Sequence, residues 1–380
     1  MSGFGFDTLA LLTAVGFAGP LLTSLPHLRI PLIIGELVAG LVLGKTGFGV
    51  LDESNSTFQL FANIGFALVM FVAGTHVPVR SREVRSAVPR ALARAVLCGV
   101  VAAALGVGLA WQFGTGHAAL YAVLMTSSSA ALALPVIGSL GLKGPPVLSL
   151  TAQIAIADTA CIVLLPLVID LRRAPTAALG ALAIAACAVL LFVILLAADR
   201  RGWRQRMHDY SEKHKFALEL RTNLFVLFAL AALAVSTHVS IMLAGFALGL
   251  VIASVGEPRR LARQLFGITE GFFGPLFFVW LGASLRVREL GAHPKLILLG
   301  AGLGLGAVLA HCVGRLLGQP LTLGVLSAAQ LGVPVAAATI GNEEHLLAAG
   351  EGSALMFGAL LTIASASVAG ALAARGQPAQ

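Results

Sequence analysis

The chain has 380 residues, of which 58% are hydrophobic and only 11% are charged, and its mean hydropathy is +0.94. Soluble domains carry about 25% charged residues, so this composition excludes an ordinary soluble domain and predicts an integral membrane protein. The formal net charge of +8 could suggest nucleic-acid binding. The placement of the basic residues instead indicates a membrane topology, and no nucleic-acid partner is predicted.

Apolar segments long enough to cross a hydrocarbon core of about 30 Å follow one another along the chain. We predict about thirteen of them, near 7–25, 30–44, 57–75, 90–112, 118–138, 147–170, 176–198, 217–236, 239–254, 264–285, 294–316, 321–341 and 350–373. The predicted fold class is therefore an all-α polytopic membrane protein. The charged stretch 199–221 is predicted to be a plain cytoplasmic loop, with an amphipathic interfacial helix as the alternative.

The basic residues predict the orientation of the chain. If thirteen segments alternate in direction, 19 of the 25 Lys and Arg residues fall on one side of the membrane. The other side takes Lys45, Arg172, Arg173, Arg286, Arg288 and Lys295. Since cytoplasmic loops carry the excess of Lys and Arg, we expect the N-terminus outside and the C-terminus in the cytoplasm. The four cysteines lie in different apolar segments, so no disulfide framework is expected.

Three sequence blocks recur in the same order in the two halves of the chain. SSAALALPV (128–136) aligns with SAAQLGVPV (327–335), LVAGLVLG (37–44) resembles FALGLVIA (246–253), and LVMFVAGTHVPVR (68–80) resembles LFFVWLGASLRVR (276–288). We therefore expect one transporter domain over 1–380, with repeats of six helices at about 7–170 and 217–373 and a linking helix at about 176–198. Because a single linking helix crosses the membrane between the two six-helix repeats, the second repeat starts from the opposite side. The repeats are therefore inverted, as in many secondary transporters. A bundle without internal symmetry is the alternative.

Asp158 is the strongest candidate for a functional residue. The apolar run 149–169 contains no other carboxylate and no basic side chain. A carboxylate at the centre of a membrane helix costs about 2.5–3.5 kcal/mol on insertion scales, so Asp158 is predicted to bind a proton or a cation. A structural carboxylate paired with a buried base or hydroxyl is the alternative. Thr151, seven residues earlier on the same helix face, is a further candidate ligand.

Two prolines in the repeat-related segments predict broken helices. Pro135 cannot donate to the carbonyl of Ala131, and Pro334 cannot donate to that of Gln330. Backbone groups freed in this way are tolerated at membrane depth only where they are buried in protein or line a cavity. Ser327 and Gln330 of the second segment are therefore included in the candidate site with the two prolines.

Hydroxyl groups precede the first of these breaks, at Thr126, Ser127 and Ser128. Hydroxyl and carbonyl oxygens can coordinate Na⁺ or K⁺ without adding charge, so these residues are predicted to complete a cation site beside Asp158. Ser and Thr side chains also allow helices to pack closely, which is the alternative for any single hydroxyl.

Three further ionisable residues lie near membrane depth and are candidates for a proton relay: Glu36, Glu270 and His311. The two glutamates lie near segment ends, where each could instead cap a helix or reach the interface. His311 has an ordinary pKa range suited to proton transfer, and a packed, hydrogen-bonded histidine is the alternative.

Five blocks in fixed order carry a family resemblance: IPLIIGELVAGLVLG (30–44), FANIGFALVMFVAGT (61–75), SSSAALALPVIGSLG (127–141), AQIAIADTACIVLLPL (152–167) and FFGPLFFVWLGASL (272–285). The chain resembles the monovalent cation:proton antiporter superfamily, most closely its bacterial sodium/proton exchangers and potassium-efflux antiporters. The resemblance implies thirteen helices in inverted repeats, broken helices five and twelve crossing beside the ion site, and a homodimer in the bacterial inner membrane. Asp158 matches the ion-binding aspartate of the family.

The chain departs from the family pattern at two positions. Ala157 stands where relatives carry Asp, Asn or Gln, and His311 lies near the place of a lysine that accompanies paired aspartates. A single carboxylate implies electroneutral exchange of one H⁺ for one Na⁺ or K⁺, without cofactor or resident metal. A non-transporting or sensory protein on the same fold, and an organic-anion symporter, are the alternatives. Neither an enzyme nor a soluble regulatory domain is indicated, since no catalytic constellation or nucleotide-binding motif is recognised.

Overall fold

The computed structural model describes residues 5–24, 32–77, 79–170, 172–214, 216–256, 259–285, 287–292 and 294–375. Throughout these ranges the ordered elements are helices. They are α1 (Phe6–Gly16), α2 (Ala18–Thr23), α3 (Leu32–Leu43), α4 (Ser56–Thr75), α5 (Arg82–Phe113), α6 (Ala118–Thr126), α7 (Ala130–Ser139), α8 (Pro145–Ile169), α9 (Ala174–Arg200), α10 (Trp203–His214), α11 (Leu218–Ser236), α12 (Ile241–Val255), α13 (Arg259–Ile268), α14 (Gly274–Ser284), α15 (Val287–Ala292), α16 (Pro294–Cys312), α17 (Leu321–Ser327), α18 (Gly332–Glu343) and α19 (Glu351–Arg375). A π-helical turn (Thr269–Phe273) joins α13 to α14, and a 3₁₀ turn (Val313–Leu317) extends α16.

The helices pack into two bundles. The first, which we call the scaffold, contains α1–α4 and α12–α14, with α3 against α14 and α4 against α12. The second, the core, contains α5–α8 and α16–α19, with α5 against α6 and α8, and α16 against α19. The long helix α9 contacts α8 on one side and α12 on the other, so it bridges the two bundles.

Glycines allow the scaffold helices to touch at the backbone. A Cβ atom at Gly40 of α3 would lie 2.1 Å from the carbonyl oxygen of Val279, and one at Gly282 of α14 would lie 2.1 Å from that of Leu37. The hydrogen atom of a glycine fits at these two positions, but the methyl group of an alanine does not. Close helix approach of this kind maximises van der Waals contact where lipid removes any hydrophobic drive for association between helices. The scaffold is therefore a tightly packed unit.

The helix content confirms the predicted all-α polytopic class. Within the described ranges, nine helices are long and apolar enough to cross a membrane, and four shorter apolar helical stretches accompany them, at Phe6–Leu22, Leu32–Leu43, Ala118–Leu134 and Ile241–Val255. Each predicted segment overlaps one of these stretches. That all thirteen cross the membrane stays a prediction.

The charged connection 199–221 is not the plain loop that was favoured from the sequence. It contains α10, which is held against the start of α11 by specific polar contacts. The hydroxyl of Ser211 accepts a hydrogen bond from the Leu218 amide at 3.0 Å, and His208 lies 2.8 Å from the Glu219 carboxylate. These partners come from the fold of the connection, which composition alone does not reveal.

The predicted interruptions exist, but their positions differ from those inferred from the prolines. The first falls at residues 127–129, and the backbone of Pro135 lies inside α7, while its side chain is outside the described part of the structure. The second falls at 328–331, and Pro334 is the third residue of α18. Amides of a first helical turn have no intrahelical acceptor, so proline fits there without breaking the helix. Both interruptions precede the prolines, the first at three serines and the second around Gln330, so the prolines themselves do not interrupt the helices.

Candidate functional site

The two interruptions cross each other inside the core. The Ser129 amide donates to the carbonyl of Ala329 at 2.7 Å, and the Ser128 hydroxyl donates to the carbonyl of Ser327 at 2.5 Å. Ser128 and Ser327 are also the first residues of the aligned repeat blocks. The Ser129 amide and the carbonyls of Ser327 and Ala329 are thus satisfied across the crossing, as backbone groups at membrane depth require.

Asp158 lies at this crossing, on the middle of α8. Its side chain is only 3% exposed, and its Oδ2 atom accepts a hydrogen bond from the Ala130 amide at 2.8 Å. Ala130 is the first residue of α7, whose own N-cap residue Ser129 makes no side-chain capping bond. The positive end of the α7 dipole therefore faces the carboxylate, and helix N-termini favour negative charge. Ala157 beside it is buried and supplies no polar atom.

The predicted hydroxyl ligands are brought to the crossing to different degrees. Ser127 and Ser128 are each 1% exposed within it, and Thr126 ends α6 immediately before it. The Ser127 hydroxyl donates to the carbonyl of Leu124 and that of Thr126 to Ala122, so each oxygen keeps lone pairs for a cation. Thr151 donates to Val147 in its own helix, two turns from Asp158, and no direct contact joins it to the carboxylate.

His311 and Gln330 attach the second interruption to its neighbours. His311 Nδ1 lies 3.0 Å from the Ser327 hydroxyl, which itself donates to the carbonyl of Gly324. Since a hydroxyl has one proton, His311 Nδ1 carries the hydrogen of their bond. The Nε2 atom is buried without a partner. The backbone amide of Gln330 donates to the Thr362 hydroxyl at 3.2 Å.

Glu36 and Glu270 are not part of this site. Glu36 belongs to α3 of the scaffold and is 1% exposed, with neither carboxylate oxygen hydrogen-bonded. Glu270 belongs to the π-helical turn before α14 and lies within electrostatic reach of Glu36. The two predicted relay carboxylates therefore both belong to elements of the scaffold, whereas the crossing is formed by core helices.

Sequence reasoning missed a buried polar cluster that lies beside α8 within the core bundle. Arg94, only 4% exposed, donates to the Ser149 hydroxyl and to the carbonyl of Leu317, each at 3.0 Å. Gln319 donates to the side-chain oxygen of Gln153 at 3.0 Å, and both amides are buried. The signal that singled out Asp158, a polar group inside an apolar segment, would also have found Gln153.

A second missed group joins the ends of two core helices. The Glu351 carboxylate at the start of α19 accepts bonds from the Tyr121 hydroxyl at 2.6 Å and the Ala348 amide at 2.9 Å. His117, just before α6, lies 2.7 Å from the same carboxylate, and this bond raises the pKa of His117 above its ordinary 6.5. Tyr121 and His117 are more than 200 residues from Glu351 in sequence, so spacing gave no indication of these contacts.

A cavity of about 730 Å³ separates the scaffold from the core. Its scaffold wall includes Glu53 and Trp280, and its core wall includes Val335 and Ala338 of α18. Val335 is one turn from the crossing, because α18 begins at Gly332. The cavity therefore leads from the surface toward the level of the candidate site.

The groups at the crossing are of the kind that suits reversible binding of a small cation. The crossing offers the Asp158 carboxylate, the positive end of α7, and hydroxyl and carbonyl oxygens. These oxygen atoms are hard ligands, which suit alkali cations. No group of three or more His, Cys, Asp or Glu able to hold a metal ion occurs among the residues that the structure describes.

The fold and the site together define a polytopic helical membrane protein with crossed, interrupted helices and a buried carboxylate between them. The sequence profile of the family described as sodium/hydrogen exchanger, transmembrane, matches residues 11–373. The chain therefore belongs to the sodium/hydrogen exchanger family, and the resemblance seen in the sequence is confirmed.

Individual proteins show the same relationship. The chain is 25% identical over 380 residues to YjbQ of Bacillus subtilis, described as a candidate Na⁺/H⁺ antiporter, covering 94% of this chain and 60% of YjbQ. It is 28% identical over 328 residues to the glutathione-regulated potassium-efflux protein KefC of Salmonella typhi, covering 83% of this chain and 52% of KefC. The chain thus spans only about half to 60% of the length of these relatives.

A solved structure shows the same fold. The sodium proton antiporter MjNhaP1 of Methanocaldococcus jannaschii superposes with a TM-score of 0.68 at 15% identity, covering 98% of this chain and 97% of MjNhaP1. At this identity the likeness concerns the fold alone.

Proposed function

We propose that the chain is a secondary antiporter that exchanges H⁺ for a monovalent cation, Na⁺ or K⁺, by alternating access. Asp158 binds either a proton or the cation, because one carboxylate has one negative charge to offer. Competition for this site couples the two fluxes without contact between the ions. Thr126, Ser127, Ser128 and carbonyl oxygens of the two interruptions complete the cation shell.

The bond from the Ala130 amide to Asp158 is the observation that carries the proposal. It places the carboxylate at the positive end of α7, where negative charge is stabilised, inside a core that excludes bulk water. In its ionised form the carboxylate can bind a cation there, while proton binding neutralises it. A purely structural aspartate would be paired with a base or several donors, whereas Ala130 is the donor that the described structure gives Asp158.

The division into scaffold and core supports the alternating-access part of the proposal. The cavity opens between the two bundles, so movement of the core against the scaffold would close it and expose the crossing to the opposite face. Family membership supports a homodimer in a bacterial inner membrane. The distribution of basic residues supports an external N-terminus, and the matched interruptions support inverted repeats at about 7–170 and 217–373.

The test is exchange by purified protein in liposomes that hold a pH gradient read by an internal pH-sensitive dye. Na⁺, K⁺ and Li⁺ are added in turn to the wild type, Asp158→Asn and Asp170→Asn. Asp170 follows the last residue of α8 and pairs with Arg173 near the surface, so its variant is a matched control for removing a carboxylate. We expect cation-triggered proton flux in the wild type and in Asp170→Asn, and none in Asp158→Asn.

Flux retained in Asp158→Asn would overturn the assignment of Asp158. Absence of flux with every cation across pH 6–9 in the wild type would favour the second candidate, a non-transporting protein on the same fold. Ala157, which is buried and contributes no polar side-chain atom before Asp158, is the observation that supports that candidate.

A further inference from the structure

Glu53 is a buried carboxylate outside the crossing that the proposed function does not use. It lies in the connection between α3 and α4 and lines the cavity between scaffold and core. The residue is 9% exposed, its Oε1 atom accepts a bond from Lys45 at 2.7 Å, and its Oε2 atom is buried without a partner. A buried carboxylate oxygen without a partner carries a desolvation cost, which a bound cation would remove.

The surroundings hold Glu53 in place. The Trp280 indole donates to the Glu53 carbonyl at 3.1 Å, which fixes the backbone against α14. Lys45 fixes one carboxylate oxygen, and this also fixes the position of the other oxygen within a residue that lines the cavity. Across the cavity, α18 and α19 present oxygen-bearing side chains, namely Thr339, Asn342 and Ser353.

The local charge favours a cation. Lys45 is shared between Glu53 and Asp52, at 2.7 Å and 3.6 Å, so two carboxylates face one ammonium group. The Ser54 amide and hydroxyl donate to Asp52 and lower the pKa of its carboxyl, which keeps it ionised. Clefts lined with one sign of charge between low-dielectric walls concentrate the opposite ion. Arg173 is neutralised by Glu344 at 2.8 Å beside the opposite wall.

We infer that Glu53, with oxygen atoms of the facing core helices, forms a second binding site for a monovalent cation in the cavity, where the ion is captured before it reaches Asp158. This inference rests on the proposed function for its role in transport, while the binding itself does not. A cation at Glu53 would lie against α18, whose first turn adjoins the crossing. The site would therefore load the exchanger from the face on which the cavity opens.

The indole bond makes Trp280 a probe of this site. The chain has three tryptophans, and Trp111 and Trp203 are exposed, so replacing both by Phe leaves Trp280 as the single emitter. Fluorescence is titrated with NaCl, KCl and LiCl at ionic strength held constant with choline chloride. All titrations are made in the Asp158→Asn background, which removes the site at the crossing.

We expect a saturable change in Trp280 emission with at least one alkali cation. Glu53→Gln, which keeps the size and the acceptor for Lys45, should abolish it or weaken the apparent affinity at least tenfold. Lys45→Gln, which removes the opposing charge, should strengthen it. Glu83→Gln, which removes an exposed carboxylate in the first turn of α5 away from the cavity, is the control and should leave it unchanged. No saturable change, or an unchanged titration in Glu53→Gln, would overturn the inference.

Transport measurements distinguish the failure of this inference from the failure of the proposed function. With Asp158 intact, Glu53→Gln should raise the apparent KM for the cation added on the cavity face about five- to tenfold, the effect of one unit charge across a partly hydrated cavity. An exchanger that works normally in Glu53→Gln would refute the capture role and leave the proposed function standing. Trp280 titration without exchange in any variant would refute the proposed function and leave the cavity site standing.

Discussion

The carboxylate of Asp158 on α8 accepts a hydrogen bond from the backbone amide of Ala130, the first residue of α7, at 2.8 Å. A residue of another helix thus performs the capping that Ser129 does not. The contact has two consequences. It stabilises an interrupted helix within the core, and it places a negative charge where the helix dipole can support it. The fold and the proposed ion binding both depend on Asp158, and different substitutions of this residue distinguish the two roles.

Asp158→Asn and Asp158→Ala should differ in stability although both lose exchange. Asparagine keeps an oxygen that accepts from the Ala130 amide, whereas alanine leaves the start of α7 uncapped. Losing a cap costs about 0.5–2 kcal/mol. We therefore expect Asp158→Ala to unfold at a lower temperature than Asp158→Asn in detergent. Equal melting temperatures would show that the bond contributes nothing to the fold.

Exchange should be electroneutral. Ala157 contributes no charge, and Asp158 is the carboxylate at the crossing. We expect Na⁺- or Li⁺-driven proton flux in liposomes to proceed at the same rate with and without valinomycin at equal K⁺ on both sides. Acceleration by this voltage clamp would reveal net charge movement and a second titrating group, for which His311 is the first candidate.

Ser327→Ala should destabilise the core. The Ser327 hydroxyl is the partner of His311 Nδ1 and is completely buried, so its removal leaves a buried donor unsatisfied. Such a loss costs about 1–3 kcal/mol. Ser365→Ala is a suitable control, because the Ser365 hydroxyl bonds only to the carbonyl of Leu361 in its own helix. Thermal unfolding of both variants in detergent measures the difference, and an equal effect would contradict the role of the Ser327–His311 bond.

The bond between His117 and Glu351 should make stability depend on pH. This bond raises the pKa of His117 above 6.5, so the protonated imidazole stabilises the folded state. The contribution is present in full below about pH 6.5 and is lost as pH rises through the raised pKa. His117→Gln should therefore lower the melting temperature at pH 6 and have less effect at pH 9. His214→Gln, at an exposed histidine of α10, should show no such difference, and a pH-independent effect of His117→Gln would contradict the assignment.

Gly282→Ala should force α3 and α14 apart. The added methyl group would lie 2.1 Å from the carbonyl oxygen of Leu37, and overpacking of this kind costs about 1–3 kcal/mol. Gly108→Ala in α5 is the control, since nothing lies within 4 Å of a Cβ atom there. Alanine is favoured over glycine inside a helix by about 0.5–1 kcal/mol, so this control should be neutral or slightly stabilising. Melting temperatures of the purified variants test the difference, and a stable Gly282→Ala would show that the helix contact can relax.

The sequence by itself determined the class of this protein and its central candidate residue. A long succession of apolar segments indicates that the chain lies in a membrane. There, a helix is the structure that satisfies its backbone hydrogen bonds within one segment, so the all-α polytopic fold followed from composition and length. Asp158 stood out because an ionisable group at the middle of such a segment is costly. The aligned blocks around Ser128 and Ser327 were also visible, since repeat similarity is a property of sequence.

Only the tertiary structure decided where the helices are interrupted and what the buried polar groups contact. The prolines suggested breaks at Pro135 and Pro334, but the helices stop earlier, where Ser129 and Ala329 bond across the crossing. The same holds for the partners of Asp158 and Glu53, and for the bond between His117 and Glu351. These contacts join residues remote in the chain, and local periodicity records which side chains a segment carries but not which distant atoms will satisfy them.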